Sequence, residues 1–194
     1  YLETWDTDPR GMTLLIRWGE HCQAIGNDDD ADKAFATLFE KYLGYNSLQF
    51  LVQPRFEHLR DKKRYDAYVS SAEAFMKAYP GSPLRGRITR WWLDMLRPAA
   101  VNGDVEALAD TKMVLDTHYG DASDFATKWM VDLLVDQKKP AEAAELAKFF
   151  LDDKQWSWQT WRMLEDYARK AEEFKPLVEQ AKEKYDIYPP AGDD

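Results

Sequence analysis

The chain has 194 residues, of which 45% are hydrophobic and 31% are charged, an ordinary balance for a globular protein. Its formal net charge of −9 disfavours nucleic acids and anionic membrane surfaces as partners, because an acidic protein surface repels phosphate groups. The sequence contains no run of about 18 apolar residues and therefore predicts no insertion into a membrane.

Apolar residues recur at helical spacing along nearly the whole chain, and alternating strand patterns are nearly absent. The pattern predicts an all-α fold of about ten helices joined by short turns. In chain order these helices cover residues 12–25, 31–43, 47–60, 63–79, 84–97, 105–119, 123–137, 141–151, 156–170 and 176–185. No change of composition marks a linker, so residues 1–190 are predicted to form a single helical-repeat domain, followed by a disordered tail at 191–194.

Turn and capping residues predict where several helices begin and end. The run Asp28–Asp30 is expected to cap the second helix and to place favourable charge at its start. Pro54 is expected to kink or restart the helix that contains it. Two further helices are expected to stop at Pro98 and at Gly120.

The first helix places five residues on one stripe, and this stripe is predicted to face the core. They are Leu14, Leu15, Trp18, Cys22 and Ile25. Cys22 is the only cysteine, so no intrachain disulfide can form. Its position suits either a reactive thiol or a small buried apolar residue.

Two sets of aromatic residues recur at a common interval. The first helices carry Trp18, Trp92, Trp129 and Trp161, which are separated by 74, 37 and 32 residues. The second helices carry Tyr42, Tyr79, Tyr119 and Tyr188. The gap of 74 is twice 37, and the missing copy of the tryptophan falls at Arg55. Both sets predict helix pairs that repeat with a period of about 37 residues.

A helix pair of this kind exposes an apolar face that it can bury only by stacking on its neighbours. The tryptophans of the series are therefore expected to lie in the core, as wedges between stacked pairs. Trp91 adjoins Trp92 and cannot face the same way, and Trp156 lies in a stretch crowded with other tryptophans. Trp91 or Trp156 is a candidate for exposure to a partner.

The segment 64–92, RYDAYVSSAEAFMKAYPGSPLRGRITRWW, resembles a tetratricopeptide repeat (TPR). It is most similar to the TPRs of bacterial envelope proteins, whose Tyr, aromatic and Tyr-Pro-x-Ser-Pro positions match Tyr65, Phe75 and residues 79–83. The resemblance implies a right-handed α-solenoid of about five antiparallel helix pairs, with a concave surface built from first helices and no catalytic residues. It also suggests the periplasm or cell envelope as the location.

The chain departs from the TPR pattern at one repeated position. The family has a small residue four positions after the first-helix tryptophan, where this chain has Leu96, Leu133 and Glu165. Larger residues there imply wider crossing angles within each pair than the family shows.

No motif in the sequence predicts a metal site, a cofactor or a catalytic residue. Asp28, Asp30 and Asp32 have the spacing of a calcium loop, but Lys33 replaces the required Gly and Phe39 the bidentate acid. The three histidines are scattered and lack the spacing of a zinc site. Phosphate-binding glycine motifs and the nucleophile elbow are absent. The chain is therefore not expected to be an enzyme.

Arginines cluster on one predicted helix of this acidic chain. Arg90 and Arg97, together with Arg162 on a later first helix, are expected to face the concave groove. With Trp91 and Trp156 they form the predicted partner-binding set. Guanidinium groups there suit an acidic segment or a C-terminal carboxylate of a peptide. The alternative is a solvated helix face whose arginines pair with neighbouring acids.

Three functions are compatible with these patterns. The first is a protein-interaction scaffold or adaptor that binds a partner segment in the concave groove, and a homo-oligomer is also compatible. The second is a non-catalytic helical accessory region of a larger secreted or envelope enzyme or assembly. Because the chain starts at Tyr1 without Met, a processed or truncated product is expected. The third is a small-molecule enzyme with a pocket lined by Trp and Arg.

Overall fold

The structure, a computed structural model, describes residues 8–122, 125–152 and 157–185, and every regular element within them is a helix. The predicted all-α fold class is therefore confirmed. The tail predicted at residues 191–194 lies outside the described residues. Contacts group the chain into two compact units, Tyr1–Leu96 and Arg97–Asp194, whose boundary falls inside one helix.

Helices that are neighbours in sequence pack on each other as pairs in the described part of the chain. The α-helices are α1 Pro9–Ala24, α2 Asp28–Tyr42, α3 Leu48–Leu51, α4 Gln53–Asp61, α5 Tyr65–Ala78, α6 Arg85–Val101, α7 Val105–Ala122, α8 Ala126–Asp136, α9 Pro140–Ala147, α10 Phe149–Asp152, α11 Ser157–Ala168 and α12 Lys175–Tyr185, and a short 3-10 helix, Glu172–Phe174, precedes α12. In the first unit α1 pairs with α2 and α4 with α5. In the second unit α8 pairs with α9 and α11 with α12.

Polar side chains cap the first two helices. Asp8 caps α1 by accepting a hydrogen bond from the backbone N–H of Arg10 at 2.8 Å. Asn27 caps α2, and its side-chain oxygen accepts a 3.4 Å bond from the backbone N–H of Asp30. The cap predicted within Asp28–Asp30 is thus wrong, and the three aspartates instead fill the first turn, where the predicted favourable charge at the start of the helix is confirmed.

Proline acts differently at its two predicted positions. Pro54 lies in the first turn of α4 after α3 has ended, so the predicted restart is confirmed. Pro98 lies inside α6, which continues to Val101, so the predicted stop there is wrong. Asp94, one turn earlier, is exposed like Pro98, so water can reach the backbone carbonyl that loses its helical partner.

The predicted stop at Gly120 is also wrong. Helix α7 continues to Ala122, and its backbone leaves the helical region two residues earlier, at His118, with φ −118° and ψ 25°. The break that the sequence predicts therefore exists as a kink within the helix rather than as its end.

Close contact between α1 and α2 organises the first unit. The buried face of α1 comprises Gly11, Met12, Leu15, Ile16, Gly19 and Cys22. Gly19 lies against the ring of Phe35 on α2, because a Cβ at Gly19 would meet three ring carbons at 2.7–2.9 Å. Only a residue without a side chain allows the two helices to come this close.

The stripe predicted to bury α1 is wrong in three of its five members. Leu15 and Cys22 are buried, but Leu14 is 49% exposed, Trp18 51% and Ile25 63%. The expectation that the tryptophan series lies in the core is confirmed for Trp92, Trp129 and Trp161 and is wrong for Trp18.

Tyrosine hydroxyls connect successive helix pairs within the first unit. The Tyr79 hydroxyl, at the end of α5, donates to the carbonyl oxygens of Leu43 at 2.5 Å and Tyr45 at 2.9 Å, beyond the end of α2. The buried Tyr68 hydroxyl donates to the carbonyl oxygen of Ile88 on α6 at 2.7 Å. These bonds satisfy hydroxyls that would otherwise be costly to bury.

The second unit has its own core and its own connections between pairs. Its apolar cluster includes Val131 of α8, Trp161 of α11 and Phe174. Gln137 donates from Nε2 to the carbonyl oxygen of Ala100 at 2.7 Å. The Tyr167 hydroxyl of α11 donates to Asp132 Oδ1 of α8 at 2.6 Å.

Replacing Gly19 by Ala is expected to lower the free energy of unfolding by about 1–3 kcal/mol, because the added methyl overlaps the buried Phe35 ring. Gly120→Ala is the matched control in α7, where an added Cβ would meet no atom within 4 Å. Alanine's helix propensity should leave that variant neutral or slightly stabilised. Urea unfolding followed by circular dichroism measures both, and equal effects of the two substitutions would contradict the close contact.

Candidate functional site

The residues predicted to bind a partner are divided between the two units. Arg90 and Trp91 belong to the first unit, and Arg97 and Arg162 to the second. Arg90 and Arg162 are exposed, whereas Trp91 is half-buried. Trp156 lies outside the described residues.

Two members of the predicted set are engaged within their own unit. Arg97 places Nη2 2.6 Å from Asp136 Oδ2, and its guanidinium lies 5.5 Å from the centre of the Trp129 ring. The guanidinium of Arg60 lies over the Trp91 ring, 4.9 Å from the ring centre. The alternative interpretation of this helix face is that its arginines pair with neighbouring acids, and Arg97 does so with Asp136.

Three apolar residues that the sequence pattern assigns to the core, Leu14, Trp18 and Ile25, instead form an exposed stripe along α1. We define this stripe as Leu14, Trp18 and His21 of α1 together with Ile25, the residue that follows the helix, at successive spacings of four, three and four residues. All four are exposed, and the Trp18 and His21 rings lie 6.0 Å apart. This spacing places the four side chains along one line of the helix, as in the seam of a coiled coil.

The same positions in α4 and α6 contact the second helix of the preceding pair. Trp18, Arg55 and Trp92 follow one another at intervals of 37 residues. Arg55 contacts Phe35 of α2, and Trp92 donates from Nε1 to the Tyr65 hydroxyl at 3.2 Å, at the start of α5. We call this side of a first helix its docking face, and on α1 it is the exposed stripe.

On α4 the docking face is charged and meets acids of α2. Asp32 faces three cationic or imidazole groups: its carboxylate lies 3.3 Å from Arg55 Nη1, 3.3 Å from His58 Nε2 and 3.4 Å from Arg64 Nη1. Lys62 continues the row with a 2.9 Å ion pair to Asp28. The arginine at the position of the missing tryptophan is thus buried and paired rather than absent from the packing.

His58 is buried on this face without an aligned hydrogen bond at Nε2. Burial lowers the pKa of its imidazole below the usual range, and this effect exceeds the opposing attraction of Asp32 and Asp28. A neutral imidazole therefore sits beside the ion pair of Arg55 and Asp32.

A cleft of about 380 Å³ lies beside His58, between α1 and α4. Its lining comprises Glu20, Gln23, Pro54, Glu57, His58, Asp61 and Lys62. The hydroxyl and thiol nucleophiles of covalent catalysis are absent from this lining, and Lys62 is paired with Asp28. The arrangement stabilises the contact of α4 with α2.

The Cys22 thiol and the potential metal ligands are the remaining candidates for chemistry among the described residues. Cys22 is buried against α2, and burial raises the pKa of its thiol, which favours the small apolar role over a reactive one. Residues 8–122, 125–152 and 157–185 hold no cluster of three or more His, Cys, Asp or Glu arranged for a metal ion. None of the helices described is long and apolar enough to cross a bilayer.

Comparisons with known proteins add no relative. No family model, no curated protein and no solved structure matches this chain.

Stability should depend on pH through His58. Because its pKa is lowered on folding, the unfolded chain takes up a proton near its ordinary value of 6.5 while the folded chain does not. The free energy of unfolding is therefore unaffected by His58 above that pH. It falls as the pH drops below that value, by at most about 1.4 kcal/mol per pH unit.

The measurement is the free energy of urea unfolding at about pH 7.5 and about pH 5.5, on either side of the ordinary histidine pKa. His58→Gln should lose this part of the pH dependence, and His21→Gln, at an exposed position on α1, should keep it. A His58→Gln slope equal to that of the wild type would assign the dependence to another group.

Proposed function

We propose that this chain is a non-catalytic protein-interaction scaffold, a TPR-like right-handed solenoid of about five antiparallel helix pairs with a period near 37 residues. The observation that carries the interaction role is the exposed apolar stripe of α1. Leu14, Trp18 and Ile25 are each about half exposed or more. A continuous apolar row on a helix surface is typical of a protein contact site.

Long-range hydrogen bonds support the repeat interval. In the first unit the Tyr79 hydroxyl donates to the carbonyl oxygen of Leu43, 36 residues earlier in the chain. In the second unit Gln137 donates to Ala100, 37 residues earlier, and Tyr167 donates to Asp132, 35 residues earlier. A stack of similar helix pairs places equivalent positions of neighbouring pairs beside each other, which accounts for a common separation.

Burial of the second helices supports the same interval. Equivalent positions are buried in α2, α5, α7 and α9, at Ala31, Tyr68, Ala107 and Ala143. One turn further along, Phe35, Ala72, Thr111 and Ala147 are buried as well. In the first helices, the docking-face positions Trp18, Arg55 and Trp92 recur at 37 residues, close to the separations seen in the second helices.

The exposed arginines Arg90, in the first unit, and Arg162, in the second, are further candidates for contact with a partner. An acidic segment or a C-terminal carboxylate is the partner chemistry that guanidinium groups favour. Arg97 is a weaker candidate, since it is already paired with Asp136. The apolar stripe is therefore the primary surface of the proposal.

The proposal predicts that protein association depends on the stripe. Tagged wild-type chain should capture specific proteins, untagged copies of itself included, from a lysate of the source cell. Leu14→Ala with Trp18→Ala should weaken the strongest of these associations by about tenfold or more when it is measured with purified components. Val105→Ala, at an apolar residue 82% exposed on α7, is the control and should keep wild-type affinity.

A separate Arg90→Ala and Arg162→Ala variant distinguishes the contribution of the exposed arginines from that of the stripe. The proposal fails if the stripe variant and the arginine variant both keep every association of the wild type while remaining folded by circular dichroism.

A further inference from the structure

We infer that the apolar stripe of α1 is occupied by the same stripe of a second copy, in an antiparallel, two-fold symmetric dimer. The inference rests on the proposed interaction function and names the partner for its primary surface. It follows from the chemistry of the docking faces, the order of the stripe residues and the position of their flanking charge.

The chemistry of a docking face matches the helix that covers it. Charged α4 lies on Asp28 and Asp32 of α2, whereas Trp92 of α6 lies on Tyr65 and Tyr68 of α5. The α1 stripe carries Leu, Trp and Ile, like the apolar case. The helix that covers it must therefore present an apolar or aromatic row rather than an acidic one.

Among the described helices, α1 itself presents such a row to solvent. The other large apolar residues with substantial exposure are Phe50 and Leu51 in the four-residue helix α3, and Val105 and Met113, two turns apart on α7. Neither pair forms a row of helical length. A second copy of α1 thus supplies the required surface.

The order of the stripe residues is self-complementary. Spacings of four, three and four are the same from either end of the helix. A two-fold axis that crosses two antiparallel copies of α1 midway along the stripe places Leu14 against Ile25 of the second copy. The same axis places Trp18 against His21 of the second copy, so an aromatic ring meets an imidazole ring.

The flanking charge also fits the antiparallel order. Arg17 borders the stripe on its solvent side, two turns before Ala24 on the same edge. In the antiparallel dimer Arg17 lies beside Ala24 of the second copy, and the two guanidinium groups stay apart. A parallel dimer would set Trp18 beside Trp18 and the Arg17 edge of one copy beside the Leu15 and Cys22 edge of the other, which is buried within its own chain.

The size of the contact predicts a weak dimer. Sixteen residues make α1 about 24 Å long, and a single helix–helix seam of that length falls at the small end of specific interfaces. Each chain also carries a net charge of −9, which opposes association at low salt. We expect a dissociation constant on the order of micromolar that falls as salt screens this repulsion.

Sedimentation velocity of the purified full chain, from about 1 to about 200 µM, tests the dimer. Wild type should pass from monomer to dimer over this range. Leu14→Glu and Ile25→Lys should each raise the dissociation constant about 10- to 100-fold, because each puts a charge against an apolar side chain. Val105→Glu, equally disruptive in chemistry but off the stripe, should match the wild type.

The double variant Leu14→Glu with Ile25→Lys tests the antiparallel order. Residues 14 and 25 lie about 16 Å apart along one helix, too far for an ion pair within a chain. Across the inferred dimer, Glu at 14 meets Lys at 25 of the second copy twice, so the double variant should recover affinity to within a few fold of the wild type. Loss of dimer in both single variants without this recovery would overturn the antiparallel order.

A wild-type chain that stays monomeric at every concentration overturns the second copy as the occupant. If such a chain still loses a captured protein on Leu14→Ala with Trp18→Ala, the occupant is another protein and the proposed function stands. If it loses none, the proposed function fails as well. Weakening of the wild-type dimer by added salt would also contradict an apolar seam.

Discussion

The contact of Gly19 with the Phe35 ring determines which side of α1 is buried and which side is left for a partner. Since a Cβ at Gly19 would meet that ring at 2.7 Å, α1 and α2 can adopt their spacing only with glycine there. Phe35 is also contacted by Arg55, whose guanidinium lies 5.9 Å from the ring centre, and by the His58 ring at 6.1 Å. One aromatic ring therefore links the first helix pair to the docking face of the second, and the orientation of α1 depends on it.

The helices and most of their core could be predicted from the sequence because helical spacing of apolar residues is a local signal. Trp92, Trp129 and Trp161 lie in the core as the repeat predicts. Trp18 occupies the equivalent position and is exposed, because none of the described helices covers it. A spacing pattern locates a docking face but does not specify what covers it, and α1 carries apolar residues on two sides.

The surroundings of the predicted site residues could be derived from the sequence less completely than the fold, for a related reason. Arg97 is predicted to face a partner, and in the structure it pairs with Asp136, which is 39 residues later in the chain. An ion pair at that separation depends on which helices become neighbours, and local composition does not contain this information. Pro98 illustrates the same limit at the backbone, since its position on the exposed side of α6 decides that the helix continues. Burial and exposure decide these cases more than residue type does.

The docking faces of α4 and α6 differ in a way that determines the order of the helix pairs. Arg55 would be buried without a partner if the docking face of α4 met an apolar helix surface, and an unpaired buried charge is strongly destabilising. Trp92 would gain little from the aspartates of α2, which would lose their cations in the exchange. Each first helix thus discriminates between second helices through the cost of the wrong match as well as the gain of the right one. The stripe of α1 follows the same rule: its apolar row excludes an acidic helix and selects another apolar row, and the antiparallel copy of α1 provides one.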